Sequence, residues 1–239
     1  MYVPEHFALS DDDVAGILAT MGAGDLVTVH EDGPDATYLP FHFDPRPSEE
    51  APKGRLLTHL ARNNPQIKRE CIGQSLVIVH AGDHYVSPSD LPGHDDARAI
   101  VPTWDYITVQ AYGRFVIRDD MDWVRAQVDL ITDRHEAAIG KAWRVDDSPA
   151  PYVKRMMRAI VGAELLIERW VGKAKMSQNK TPDDVRAEID ALDRAAANTG
   201  RGNMMADLAD FKRRVSLPHA EARKQTLADL EGRRPSALG

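Results

Sequence analysis

Five short segments rich in Val, Ile, Thr and Tyr, separated by Gly, Pro and Asp, constrain this chain more than any other feature. They read DLVTVH (25–30), ATYLPFHF (36–43), GRLLTHL (54–60), SLVIVHA (75–81) and YITVQAYGRFVIR (106–118). β-branched and aromatic residues fit a pleated, half-buried surface, whereas EDGPD and DPRPSEEAPKG between them are turn and loop text. Short strands at this spacing predict an antiparallel barrel or sandwich rather than repeated βαβ units. AIVGAELLIERWVGKAKM (159–176) returns to strand character and predicts the last strand of the barrel.

Helices are predicted around this β-rich text. In LSDDDVAGILATMG, Ser10 is placed to cap, three aspartates fill the first turn, and Val14, Ile17, Leu18 and Met21 share a face. After Asp120, the residues Trp123, Val124, Val128 and Ile131 recur at helical spacing, and a shorter helix is predicted from near Pro149. KTPDDVRAEIDAL offers Thr181 as cap, Pro182 at the first helical position and Asp184 as capping-box partner, with Val185, Ile189 and Leu192 on one face. The division expected is a cofactor-binding domain over 1–197 and a charged helical extension over 198–239. That extension is expected to pack on a partner subunit or to stay mobile.

Charge narrows the function classes. The chain carries a net charge of −7, yet residues 198–239 hold eight Lys/Arg against five Asp/Glu, which leaves −10 on residues 1–197. Duplex binding starts from a basic footprint, so DNA is not the expected partner. No apolar stretch approaches the ~20 residues needed to span a bilayer. MYVPEHFALSDDD has no basic stretch leading into an apolar one, so a cytoplasmic location is expected. Cys71 is the single cysteine, which rules out an intrachain disulfide and a CxxC site.

Three stretches can carry chemistry. LLTHLARNNP (56–65) runs a strand into His59, Arg62 and Asn63. A neutral imidazole suits haem iron and a guanidinium suits a propionate or phosphate, although His-x-x-Arg also arises by chance at strand ends. The segment 83–113 gathers His84, Tyr85, Ser87, Trp104, Asp105 and Tyr106, aromatic and polar groups that suit a flat ring ligand and its rim, or an ordinary core. Its His84, His94, Asp95 and Asp96 match no tight zinc spacing. Finally, VGKAKMSQNK places Lys173 and Lys175 on one strand face before Ser177 and Gln178, either an anion grip or a plain polar strand end.

Taken in order, MYVPEHF, LLTHLARNNPQ, HYVSPS, VPTWDYITVQAYG, LITDRHE and AIVGAELLIERWVGKAKMSQN resemble the PaiB-like proteins, FMN-binding negative transcriptional regulators, over about residues 1–190. The resemblance implies a mainly β fold with α additions, a split β-barrel, and a homodimer with its cofactor between subunits. This chain departs from the family where DLPGHDDAR follows SPS and at Asp105 and Gln110. The same family resemblance takes in the haem-dependent piperazate synthases, which form an N–N bond in N5-hydroxyornithine with loss of water. That branch implies haem b on His59, Arg62 on a propionate or the substrate, and Asp105 receiving the substrate ammonium. The alternative is FMN, its phosphate held by Arg62, Lys173, Lys175 and Gln178, with Trp104 near the ring; Asn63, Ser87 and Tyr106 are the further cofactor-binding candidates.

Overall fold

The structure is a computed structural model that describes residues 1–93, 100–198 and 200–232. Its described strands are β1 (Ala23–His30), β2 (Gly33–Pro40), β3 (His42–Asp44), β4 (Arg55–Ala61), β5 (Ser75–Val86), β6 (Thr103–Arg118) and β7 (Ile160–Lys175). They form one antiparallel sheet in the order β2-β1-β5-β6-β7-β4-β3. The helices are α1 (Asp11–Thr20), α2 (Met121–Ala138), α3 (Ala150–Arg158), α4 (Pro182–Asn198), α5 (Gly202–Phe211) and α6 (Leu217–Gly232). The architecture is mainly β with helical additions, as the strand texture predicts.

The sheet rolls because of one corner. β2 and β3 stand at opposite ends of the strand order, yet only Phe41 separates them in the chain. The two edges therefore meet, and Thr58 Oγ1 of β4 donates to the Pro40 carbonyl of β2 at 2.7 Å. Closing a sheet on itself protects edge groups that would otherwise recruit another chain. Segment 36–43, expected as a single strand, is cut here. Phe41 N–H turns back to the Gly22 carbonyl at 2.9 Å, while His42 moves on to pair with Leu57.

The helix starts follow their caps. Ser10 Oγ accepts from Asp13 N at 3.1 Å and the Asp13 carboxylate accepts from Ser10 N at 3.2 Å, a reciprocal box. Asp120 caps α2 through Trp123 N at 2.7 Å, and Thr181 caps α4 through Asp184 N at 3.2 Å.

The chain divides into two compact units. The first holds Met1, Ser10–Val79 and Val109–Gly172; the second holds Tyr2–Leu9, His80–Thr108 and Lys173–Gly239. In the first, every residue of β7 from Val161 to Ile167 is buried, the mark of a strand covered on both faces. That run includes Glu164, whose carboxylate is clamped by Arg118 Nε at 2.7 Å and approached by Arg55 at 3.6 Å. In the second, Val185, Ile189 and Ala220 pack together, and α5 buries Met205, Leu208 and Ala209. The extension is therefore packed on its own chain as far as Ala220. From Glu221 to Leu230 every residue of α6 is exposed.

One glycine of the first unit decides how α2 meets the sheet. Gly162 of β7 lies directly opposite His59 of β4. A Cβ at 162 would overlap the Trp123 ring, so α2 rests this close only because the position has no side chain. Gly162→Ala is expected to cost about 1–3 kcal/mol in urea unfolding. Trp123 fluorescence should shift with it; an unchanged midpoint would show that the ring is not seated there.

Candidate functional site

His59 is delivered by β4 and addressed by α2. Its Nδ1 lies 2.9 Å from Gln127 Oε1, one helical turn beyond Trp123. An amide oxygen only accepts, so this contact calls for a proton on Nδ1, and in the neutral imidazole the lone pair is then on Nε2. Nε2 finds no hydrogen-bond partner among the described residues. His59 lines a groove of about 380 Å³ whose walls include Val128, Trp143, Tyr152, Met156 and Ile160. The groove is apolar and aromatic apart from the imidazole and the hydroxyls of Thr132, Ser148 and Tyr152. A lone pair held in a fixed direction beside an apolar wall suits the iron of a planar macrocycle.

Arg62, three residues further on, is already committed. Its guanidinium forms two 2.7 Å bonds to Asp119 and reaches the carbonyls of Arg158 at 3.1 Å and Ile160 at 3.0 Å. It ties the end of β4 to the end of β6 and the start of β7, and it holds the Asp119 carboxyl below the usual carboxylate range. Asn63 is exposed in the turn that follows. Arg62 thus staples strands in this structure, and a propionate or phosphate would have to displace Asp119.

The remaining candidates belong to the second unit. Asp105, on β6, is fully buried and is not open to a substrate ammonium, because the chain supplies one of its own. Lys212, likewise 0% exposed, donates to Asp105 Oδ2, to Glu188 Oε2 at 2.5 Å and to the Met176 carbonyl at 3.3 Å. Ser177 Oγ donates to the Asp105 carboxylate at 3.2 Å. Lys212 opens a π-helical turn, Lys212–Ser216, between α5 and α6. Two carboxylates thus share the Lys212 ammonium, with Lys175 Nζ a further 3.8 Å from Asp105 Oδ1. Burial pushes the Glu188 carboxyl above the usual carboxylate range; Lys212 pulls it back, and the Asp105 charge adds to the rise.

The expected anion grip is also spoken for. Lys175 Nζ donates to Thr103 Oγ1 at 2.8 Å and to the Trp104 carbonyl at 2.5 Å. Lys173 is nearly buried, its ammonium 5.2 Å from the centre of the Tyr106 ring. Gln178 is buried and closes its own turn, taking Met176 N at 2.8 Å and giving to the Ala174 carbonyl at 2.7 Å. Ser87 caps a single 3-10 turn through Ser89 N at 3.2 Å. Trp104 is 54% exposed and stands edge-to-face with Tyr85 at 5.9 Å, a free aromatic surface. His94, Asp95 and Asp96 lie outside the described residues. His84 is described, and burial lowers its pKa.

Gln127, Glu188 and Lys212 were not singled out from the sequence. Gln127 left a signal, since it falls in the stripe of Val124, Val128 and Ile131 where an apolar residue is expected. Lys212, in the charged text FKRRV, left none.

Compared with known proteins, residues 1–169 match the family described as "Putative FMN-binding domain". The chain belongs to this PaiB-like family. The protease synthase and sporulation protein PAI 2 of Bacillus subtilis is 24% identical over 89% of this chain and 98% of that protein. An uncharacterised protein of Saccharomyces cerevisiae is 32% identical over 57% of this chain and 90% of its own. Among solved structures, the FAD and haem binding protein of Mycobacterium smegmatis is similar at a TM-score of 0.46 and 19% identity, over 70% of this chain and 71% of that one. No described helix is long and apolar enough to cross a membrane.

Removing the ammonium strips Glu188 of its ion pair and leaves Asp105 only Lys175 at 3.8 Å and the Ser177 hydroxyl, so Lys212→Met is expected to destabilise by about 3–5 kcal/mol in urea unfolding. Adding Asp105→Asn and Glu188→Gln should recover much of that loss. A raised carboxyl contributes stability that is complete in acid and is lost as pH climbs through its folded value. Amide exchange in α4 should therefore speed up, beyond its intrinsic rise, as pH climbs above the ordinary glutamate value of about 4. Glu188→Gln should abolish that excess.

Proposed function

We propose that this chain is a cofactor-binding protein whose first unit holds haem b on His59 Nε2. The observation that carries the reading is the imidazole itself: Nδ1 engaged by Gln127, Nε2 unpartnered, and an apolar groove with Trp143 and Tyr152 beside it. These residues fit the group. His59 would hold the iron, and Met156, Ile160, Trp143 and Tyr152 would line the space around the macrocycle. Bound there, haem supplies a Lewis-acidic, redox-active iron. The chain's own residues do the rest: Gln127 orients the imidazole and the apolar wall excludes water. A homodimer belongs to the same reading, the second copy covering the open side of the groove.

The finer reaction proposed is closure of N5-hydroxyornithine into a cyclic hydrazine with loss of water. It keeps His59 but must draw its ammonium receptor from elsewhere, since Lys212 fills Asp105. FMN is the second reading. It is favoured by the family description and by the exposed Trp104–Tyr85 pair, on which an isoalloxazine could stack. Its phosphate grip is the weaker part, with Lys175 already engaged by Thr103 and Trp104.

A visible spectrum after reconstitution with haem or FMN separates the two. Haem on His59 should give a Soret band that His59→Ala removes while the fold persists by circular dichroism. A flavin spectrum that survives His59→Ala would overturn the haem reading, as would a Soret band that does not need His59.

A further inference from the structure

We propose that Gln127 is retained as the positioning residue of His59, locking the imidazole proton on Nδ1 at the expense of packing in α2. The proposal deepens the His59 reading of the site and rests on it for its purpose. Position 127 lies in the buried stripe of α2, between Val124 and Ile131. A helix stripe that faces a sheet normally carries an apolar side chain at every such place. Here it carries an amide that is only 3% exposed.

Half of that amide has a partner and half has none. Oε1 takes the His59 Nδ1 proton at 2.9 Å, while Nε2 is buried without a hydrogen-bond partner among the described residues. A buried amide donor left unpaired costs stability, and leucine or methionine at the same place would carry no such cost. A packing role therefore does not explain the glutamine. What an apolar side chain cannot do is accept from Nδ1, and without an acceptor the imidazole is free to move its proton to Nε2, the atom left for the groove. A neutral amide also differs from a carboxylate in the same place. It fixes the tautomer without adding charge, so the imidazole stays a moderate donor rather than an imidazolate-like one.

The decisive measurement uses the protein without cofactor. Long-range proton–nitrogen spectra of ¹⁵N-labelled protein, with His59 assigned by its loss in His59→Ala, read which ring nitrogen carries the proton. Wild type should show the Nδ1–H tautomer. Gln127→Leu should lose it while melting at the same temperature or higher, and Gln127→Glu should restore it. Haem affinity of Gln127→Leu should fall about tenfold to a hundredfold. A Gln127→Leu protein that keeps the Nδ1–H tautomer overturns the proposal. So does a wild type with its proton on Nε2, or a Gln127→Leu protein that melts lower with the tautomer unchanged. Should Gln127→Leu fail to fold, Gln127→Met gives the same reading. Absence of a Soret band in wild type overturns haem binding alone and leaves the tautomer result to decide this assignment.

Discussion

The pairing of His59 with Gly162 governs the first unit. Register places the imidazole opposite the one residue of β7 that offers no side chain, and that gap admits the Trp123 ring. With Trp123 seated, the next turn of α2 brings Gln127 to the imidazole. A slip of one residue in β4 would send His59 to the other face and Leu60 into its place. The same slip would break the staple from Arg62 to Asp119, because that arginine leaves the strand three residues later. The orientation of a single ring nitrogen is thus settled by a strand register, a missing Cβ and the pitch of a helix acting together.

The second unit is organised by charge. Lys212 comes from the π-helical turn, Glu188 from α4 and Asp105 from β6, so one ammonium joins three elements far apart in the chain. Charges this deep are costly unless paired, and a buried pair is seldom the most stable filling for its volume. It does restrict geometry: a turn that must place an ammonium between two carboxylates has few other ways to dock. Leu208, Met205 and Ala209 supply the apolar area, and Lys212 sets the position at which it is used.

The strands and most helices were legible because each depends on local text. Ser10, Asp120 and Thr181 stand where their side chains cap, and the β-branched segments fall in the sheet. The break at Phe41 was not legible, because it comes from the sheet closing on itself and nothing within 36–43 announces that. The site was half legible. His59 could be picked out as a candidate ligand, whereas the ion pair of Arg62 with Asp119 spans 57 residues and no pattern in either segment reveals it. Asp105 was read as a group awaiting an ammonium. The ammonium that meets it comes instead from residue 212, a distance at which a single lysine among FKRRV carries no mark.

That arrangement has a consequence for small molecules. An ammonium tethered by the chain beside its carboxylates is present at an effective concentration that no dissolved amine reaches in a cell. Toward amines, the carboxylates of the second unit behave as a receptor already saturated by an intramolecular competitor. Acidic residues that would draw polyamines or amino acids on a bare surface are silent here.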